Sequence, residues 1–322
     1  MMKNKLFILL MTMGTIITMS SNSWMGMWMG MEINMIAFMP LMKSTMMESS
    51  KSMMTYFLSQ SMGSMIMLFS MMMTMNTMRP PSMVENIIKS MIMISMMIKM
   101  GIPPMHVWLV KTMESMNWNA CLMLMTWQKM APMSVMVQMN SVPIMSPMLM
   151  VATTMGAMGG INQTSMRSIM AYSSMIHTSW MMLLSKYSNK WMMYMLAYST
   201  MTYMMCNLMN SEKIYMINQF TETSNTTKLM LTINMLSMGG MPPFLGFMPK
   251  WMTIQTVITT NDKMTLVFMT VMSLITLFYY MNSISPLIMK YSTLMKTKTP
   301  KTPKTFMAMI TIMPMFLMLS LA

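Results

Sequence analysis

The chain has 322 residues, of which 55% are hydrophobic and only 9% are charged, and its mean hydropathy is +0.49. A soluble domain carries about a quarter of charged residues, so this composition excludes a water-soluble globular protein and indicates a membrane protein. The formal net charge of +14 does not indicate nucleic-acid binding, because the basic residues are scattered along loops and gather on no single face.

Apolar windows long enough to cross a bilayer recur along the whole chain. A hydrocarbon core requires about 20 residues of helix, and each spanning segment must be helical because lipid cannot satisfy a free backbone. The sequence therefore predicts an all-α polytopic membrane protein with about eleven transmembrane helices. The windows are residues 5–21, 25–42, 53–74, 84–110, 118–138, 143–160, 165–184, 191–209, 228–258, 264–283 and 304–322.

The first window could be mistaken for a signal peptide, because Lys3 and Lys5 precede its apolar run. No small-residue cleavage site follows, and Trp24 leads directly into the second window. We therefore expect a retained first helix.

Methionine occurs 74 times and stands where Leu and Ile usually stand. Animal mitochondria read AUA as Met, so an AT-rich mitochondrial genome would produce this excess, and Met fills core and lipid-facing positions alike. The alternative is a Met-rich copper protein, in which MxxM or MxM motifs would cluster beside His. Because Met is spread along the chain, and because Cys121 and Cys206 form no ligand spacing, we predict no metal site.

Four charged residues stand out as lying inside the hydrocarbon rather than at the end of a window, namely Glu32, Lys99, Lys129 and Lys250. Each such group costs about 2.5–3.5 kcal/mol on insertion scales. The structural alternative is that each pairs with a neighbour or extends to the interface. One glutamate cannot pair with three lysines, however, and Met could fill a merely structural position without desolvation. The set therefore favours a series of proton-carrying sites.

Two windows carry helix-breaking sequences, KMGIPPMHVW at 99–108 and SMGGMPPFLGFMPKW at 237–251. Pro-Pro removes two backbone donors and Gly relaxes the chain, so each helix should open inside the membrane. If five helices form one unit, both breaks fall in the fourth helix of a unit, and the odd number inverts the second unit. We expect a first repeat at 1–138, an inverted repeat at 139–285, and a linker with a C-terminal helix at 286–322.

The two histidines complete the predicted polar interior, with His106 after the first break and His177 among the hydroxyls of AYSSMIHTSW. A lone His on an apolar helix is more often a hydrogen-bonded core residue than a ligand. The hydroxyls around His177 could hold water, and its imidazole would suit a relay between lysines. The chain has no GxGxxG, no P-loop, no nucleophile elbow and no cysteine cluster, so we predict no site for NADH, flavin or iron–sulfur.

Five segments resemble, in order and spacing, the chain 2 family of animal mitochondrial NADH–ubiquinone oxidoreductase (complex I). They are SNSWMGMWMGMEIN, MMIKMGIPPMHVW, LMTWQKMAP, GGINQTSMRSIMAYSSMIHTSW and SMGGMPPFLGFMPKW, and the resemblance covers about residues 5–285. It implies an antiporter-like fold of two inverted five-helix repeats, without the first three helices of bacterial relatives.

The resemblance also implies roles for the buried residues. Glu32 and Lys99 would form the charged pair of the first half-channel, and Lys129 would be the central relay lysine. Lys250 would be the lysine of the second broken helix, and His177 would lie on the polar axis that connects the halves.

The function implied is that of a core membrane subunit of complex I, which translocates protons while other subunits transfer electrons. NADH, FMN, iron–sulfur clusters and ubiquinone are then expected in those other subunits, and no cofactor in this chain. Expected partners are the other membrane-arm subunits, including neighbouring antiporter-like chains, and lipids such as cardiolipin. The alternatives are a free-standing cation/proton antiporter and a scaffold subunit without its own proton path.

The basic residues also predict orientation in the mitochondrial inner membrane. Thirteen of the 21 Lys and Arg residues, with Lys228 among them, fall on the side of the N-terminus, five on the other side, and three inside the membrane. The positive-inside rule predicts an N-terminus in the matrix and, with an odd number of spans, a C-terminus in the intermembrane space.

One segment departs from the family, ESSKSMMTYFLSQ at 48–60. Relatives carry an acid shortly before Lys-Tyr-Phe, whereas here Thr55 precedes Tyr56. Either an insertion displaces Glu48 or Lys51 occupies the acidic place, and no function is carried over to Glu48.

Overall fold

The computed structural model describes residues 2–43, 48–76, 82–139, 144–222, 225–260 and 262–289. These ranges contain thirteen α-helices, a 3-10 helix at Ile217–Glu222 and no strand. The helices are α1 (Met2–Ser20), α2 (Trp24–Met42), α3 (Glu48–Asn76), α4 (Ser82–Met100), α5 (Val107–Ser115), α6 (Trp118–Met125), α7 (Trp127–Gln138), α8 (Met145–Gly160), α9 (Met166–Tyr187), α10 (Trp191–Glu212), α11 (Asn225–Gly239), α12 (Phe247–Ile258) and α13 (Lys263–Met289).

The chain divides into two compact units, Met1–Ala152 and Thr153–Ala322, with the division inside α8. This division follows from packing alone, and the inverted repeats at 1–138 and 139–285 remain a prediction. Within 286–322, α13 extends to Met289, and the predicted C-terminal helix at 304–322 lies outside the described residues.

In the first unit, α1 packs closely against α2, α3 against α4 and α5, and α7 against α1, α2 and α4. The α1–α2 contact depends on two glycines. A Cβ at Gly14 would lie 2.9 Å from the Gly30 carbonyl oxygen, and a Cβ at Gly30 would lie 2.6 Å from Thr18 Cγ2. Small residues at such crossings let helix backbones approach each other, as is usual in membrane proteins.

Both predicted breaks are confirmed, and they share one local structure. Helix α4 ends at Met100 before Gly101, with φ +70°, and α11 ends at Gly239 before Gly240, with φ +79°. After each glycine, one N–H bonds back across the helix end, Ile102 to Met97 O at 2.9 Å and Met241 to Leu236 O at 3.3 Å. This is a Schellman motif, in which a left-handed glycine closes the helix.

A Pro-Pro pair follows two residues after each glycine. Proline cannot donate to a continuing helix, so the chain stays irregular until α5 begins at Val107 and α12 at Phe247. The two breaks therefore arise from the same Gly-X-Pro-Pro chemistry.

The fifth window, predicted as one helix over 118–138, is divided at Thr126 into α6 and α7. Pro132 lacks the N–H that would bond the Gln128 carbonyl, and its ring crowds that carbonyl. The Thr126 hydroxyl donates to Leu122 O at 2.8 Å, a bond that bends helices. The discontinuity therefore lies shortly before the proline.

The centre of the second unit is α9, which contacts α10, α12 and α13. Almost every side chain from Met166 to Leu184 is buried, including His177 and five Ser or Thr residues. A helix that is buried all round is a core helix. The polar residues of α9 consequently lie in the interior of this unit.

The C-terminal end of α9 is attached to the segment before α13 by charge. Lys186 forms an ion pair with Asp262, and the Tyr187 hydroxyl donates to the same carboxylate. Partial burial lowers the pKa of Lys186, but hydrogen bonds with Asp262 and Tyr187 outweigh it, and the net pKa is raised. This ion pair lies outside the apolar windows and connects the end of α9 to the start of α13.

By length and apolar composition alone, one helix of the described ranges, Lys263–Leu287, is suited to cross a membrane. The breaks shorten several other helices, and Ser, Thr and Asn lower the hydropathy of others. Many large apolar side chains nevertheless point outward, such as Met65 at 72%, Leu196 at 66% and Leu274 at 66% exposure. Such side chains suit contact with lipid or with neighbouring chains.

Candidate functional site

The structure brings together Glu32 of α2 and Lys99 of α4. Their side chains are 18% and 4% exposed, and Lys99 Nζ lies 3.6 Å from Glu32 Oε1. That distance is longer than a charge-assisted hydrogen bond, and Glu32 Oε1 has no hydrogen-bond partner within the described ranges. Lys99 Nζ also lies 3.9 Å from Met31 Sδ, a weak acceptor. The pair is therefore buried but loosely held.

Helix α3 packs tightly over the stem of Lys99. A Cβ on Gly63 would lie 2.9 Å from Lys99 Cγ, so glycine is required for this approach. Gln60 Nε2 donates to the Lys99 carbonyl at 3.0 Å and so satisfies a carbonyl at the end of α4. Helix α3 thus fixes both the backbone and the side chain of Lys99.

A network centred on Gln128 lies beside this pair and was not predicted from the sequence. The Tyr56 hydroxyl donates to Gln128 Oε1 at 3.2 Å, and Gln128 Nε2 donates to Asn34 Oδ1 at 3.1 Å. Tyr56, Asn34, Gln128, Gln60 and Lys99 line one cavity of about 10 Å³. A single water needs about that volume and two to four polar partners. The cavity therefore suits one water between Lys99 and Gln128.

Lys129 is the next residue along α7, and it is 2% exposed. Its backbone N–H donates to Thr126 O at 3.3 Å, so it lies in the first turn after the discontinuity. Each buried lysine of the predicted set thus lies within a few residues of a helix end inside its window.

Lys250, at 7% exposure, lies in the first turn of α12. Its Nζ donates to the Gly239 carbonyl at 2.8 Å, and this carbonyl lies at the end of α11. A Cβ on Gly240 would lie 2.7 Å from Nζ, so glycine is needed here for its φ and for its size. The ammonium therefore caps the helix end that the break creates.

His177 contacts two tyrosines of α10. Its Nδ1 and the Tyr194 hydroxyl share a hydrogen bond of 3.1 Å, and its ring lies 4.9 Å from the Tyr198 ring. The neighbouring hydroxyls that the sequence suggested as water ligands donate to helix carbonyls instead, for example Ser174 to Ala171 O at 2.7 Å. They can still accept hydrogen bonds, because each oxygen keeps lone pairs.

The structure places one further lysine, Lys228, differently from the sequence analysis. Lys228 was counted in a loop on the side of the N-terminus, but it is 5% exposed within α11. It is the first residue of the 228–258 window, which is the signal that the count overlooked. His106 is 9% exposed, and its Nδ1 lies 3.3 Å from Pro104 O, inside the first break.

No group of three His, Cys, Asp or Glu side chains in the described part of the chain could hold a metal ion. Both cysteines are buried and free. The absence of cofactors from this chain remains an expectation.

The fold and the buried sites define a class of membrane protein. The family model described as "NADH:quinone oxidoreductase/Mrp antiporter, TM" matches residues 21–276. A chain of respiratory complex I from Thermus thermophilus has a similar fold, with a TM-score of 0.85 at 17% identity over 100% of this chain and 78% of that one. A chain of the Mrp complex from Dietzia sp. gives 0.75 at 15% identity, over 86% and 59%. The class is the antiporter-like membrane subunit.

Curated relatives narrow this class. NADH-ubiquinone oxidoreductase chain 2 of Locusta migratoria is 39% identical over 89% of this chain and 86% of its own length. The protein of the same name from Anopheles gambiae is 36% identical over 86% and 84%. The chain belongs to the NADH-ubiquinone oxidoreductase chain 2 family, which confirms the resemblance, and it is a protein of the mitochondrial inner membrane.

Proposed function

We propose that this chain is a core membrane subunit of respiratory complex I that translocates protons through Glu32, Lys99, Lys129, His177 and Lys250. It performs no redox chemistry itself. Electron transfer from NADH to ubiquinone, through FMN and iron–sulfur clusters, takes place in other subunits and drives proton movement here. The enzymatic activity is that of the whole NADH:ubiquinone reductase.

The burial of three lysines carries this proposal. Lys99, Lys129 and Lys250 are 6%, 2% and 7% exposed, although Met fills comparable positions throughout this chain. A lysine inside the membrane costs about 2.5–3.5 kcal/mol on insertion scales, so a chain retains three of them only for a function that needs their charge or proton.

The assembly follows from the same proposal. The chain would bind other membrane-arm subunits, including neighbouring antiporter-like chains, through its outward apolar side chains, and lipids such as cardiolipin would fill gaps. The N-terminus would lie in the matrix and the C-terminus in the intermembrane space. When Lys228 is counted inside the membrane, the side of the N-terminus still carries more Lys and Arg residues than the other side. The two Gly-X-Pro-Pro breaks support two inverted five-helix repeats.

A free-standing cation/proton antiporter is the second candidate, and the likeness to the Mrp chain favours it. Native-gel separation of detergent-solubilised mitochondria, with in-gel NADH oxidation and detection of this chain, distinguishes the two. We expect the chain in the NADH-oxidising band. Migration elsewhere would exclude the complex I assignment and favour the antiporter.

The proton role is tested separately with Lys129→Met. Met is unbranched, so it removes the charge while it keeps most of the volume. We expect the variant to assemble but to lose NADH-driven proton pumping in proteoliposomes. The matched control is Lys190→Met, at an exposed turn between α9 and α10, which should pump normally. Normal pumping by Lys129→Met would favour a scaffold role.

A further inference from the structure

Buried hydroxyls lie between His177 and Lys250 in the second unit. Tyr198 of α10 and Tyr280 of α13 are 0% and 1% exposed. Neither hydroxyl makes a hydrogen bond of good geometry with any described residue, and the same is true of Trp180 Nε1. A buried polar group that stays unsatisfied costs about 1–3 kcal/mol, and native proteins usually satisfy such groups with ordered water.

The two tyrosines approach neighbouring positions of α9. The Tyr198 hydroxyl lies beside Ser174, and the Tyr280 hydroxyl lies beside Ser173. Tyr198 and Tyr280 are close enough to interact electrostatically, although they come from different helices. At the other end, the Tyr198 ring lies 4.9 Å from the His177 ring. The two hydroxyls thus lie beside adjacent serines of α9, and the ring that carries the first of them contacts the histidine ring.

Gly239 lies between the Tyr280 ring and Lys250. A Cβ on Gly239 would lie 3.7 Å from Tyr280 Cδ2, so the tyrosine ring lies against this glycine, whose carbonyl accepts from Lys250 Nζ at 2.8 Å. A cavity of about 250 Å³ is lined by Trp180, Gly239, Lys250 and others. A water molecule occupies about 30 Å³ in the liquid, so this cavity has room for several.

We propose that Tyr198 and Tyr280 relay protons between His177 and Lys250, with ordered waters beside the two hydroxyls and in the cavity at Lys250 completing the connection. In each transfer, a hydroxyl oxygen accepts a proton from the donor on one side and releases its own proton to the acceptor on the other. Each tyrosine is neutral before and after, and a proton lost by the imidazolium is gained by the lysine amine. The proposal rests on the proton role proposed for His177 and Lys250.

The test uses Tyr198→Phe and Tyr280→Phe in the whole complex, purified and reconstituted into proteoliposomes. Phe keeps the ring and removes only the hydroxyl. We expect both variants to assemble and their proton pumping to fall about tenfold or more, since positioned proton transfer commonly contributes at least that much. Loss of the relay should also change the solvent isotope effect on pumping, measured as the ratio of the rates in H₂O and D₂O. A packing defect would lower both rates and leave that ratio unchanged. The matched control is Tyr203→Phe, because Tyr203 lies on the same helix and is 52% exposed.

The outcomes separate this relay from the proposed function. If Tyr198→Phe and Tyr280→Phe pump normally while Lys250→Met does not, the relay is refuted and the proton role of Lys250 stands. If Lys250→Met also pumps normally, the proposed function itself is refuted. A density map of the wild-type complex that resolves waters provides an independent test that needs no variant. We expect water within hydrogen-bonding distance of Tyr198 and Tyr280, and dry hydroxyls would overturn the proposal.

Discussion

Replacing Glu32 by Gln removes the negative charge beside Lys99 with almost no change in volume. With an effective dielectric constant of about 20, two unit charges at the observed 3.6 Å interact by about 5 kcal/mol. Measurements on buried pairs agree, because removal of one partner usually costs about 3–5 kcal/mol. The charge on Lys99 would then depend on Met31 Sδ at 3.9 Å, a weak acceptor. We therefore expect Glu32→Gln to abolish proton transfer at this pair.

The assay is NADH-driven acidification of proteoliposomes that contain the complex, scored per NADH oxidised, with assembly followed on native gels. The matched control is Glu85→Gln, in an ion pair with Lys89 one helical turn away on α4, the helix that also carries Lys99. That pair is shorter, at 2.5 Å, but its side chains are 51% and 39% exposed. Exposed pairs of this spacing contribute only about 0.3–0.5 kcal/mol.

Comparing Glu32→Gln with Glu85→Gln distinguishes the loss of a buried charge from the loss of an exposed ion pair on the same helix. If Glu85→Gln impairs pumping as much as Glu32→Gln does, the loss reflects general disturbance of α4. If Glu32→Gln assembles and pumps at the wild-type ratio, the buried pair is not a proton-carrying site and the argument from desolvation is refuted.

Two further changes test the surroundings of the lysines. Tyr56→Phe removes the donor to the partly buried Gln128 Oε1, so we expect a loss of about 1 kcal/mol, measured as a lower melting temperature of the assembled complex. An unchanged melting temperature would show that water replaces the hydroxyl. Gly240→Ala forces an alanine to adopt φ +79° and places its Cβ 2.7 Å from Lys250 Nζ. We therefore expect poorer assembly and reduced pumping. Gly246→Ala would place its Cβ against the Ser237 carbonyl oxygen and should impair assembly more than Gly240→Ala does, and the reverse order would contradict this packing.

The helix breaks could be predicted from the sequence because their causes are local. A glycine that adopts positive φ and a Pro-Pro pair act on the backbone of their own segment, whatever the neighbouring helices are. Four buried charges were also visible, because a Lys or Glu far from the ends of an apolar window is costly and rare, whereas Lys228 at the start of its window was overlooked. The break at Thr126 was missed because a single proline inside a helix has a variable effect.

The partners of the charged residues could not be predicted, because they come from other helices. Gln128, Tyr56 and Asn34 lie on α7, α3 and α2, and only the packing of these helices brings their side chains together. In sequence, a tyrosine or glutamine within an apolar window has the character of an ordinary interfacial or core residue. Tyr198 and Tyr280 were overlooked for the same reason.

The second break and Lys250 have one physical explanation, which neither feature provides alone. The end of a helix presents unpaired carbonyls and a partial negative charge, and Lys250 donates to such a carbonyl at 2.8 Å. A hydrogen bond to a charged group contributes about 1.5–3 kcal/mol, and a partly buried helix end contributes up to about 2 kcal/mol. Together these terms are similar to the insertion cost of about 2.5–3.5 kcal/mol. Lys99 lies in the last turn of α4, but its ammonium lies 3.6 Å from Glu32 Oε1 and so depends on a carboxylate rather than on a helix-end carbonyl. For Lys250, these terms offset much of the cost of insertion, so the helix end that the break creates stabilises the ammonium inside its window.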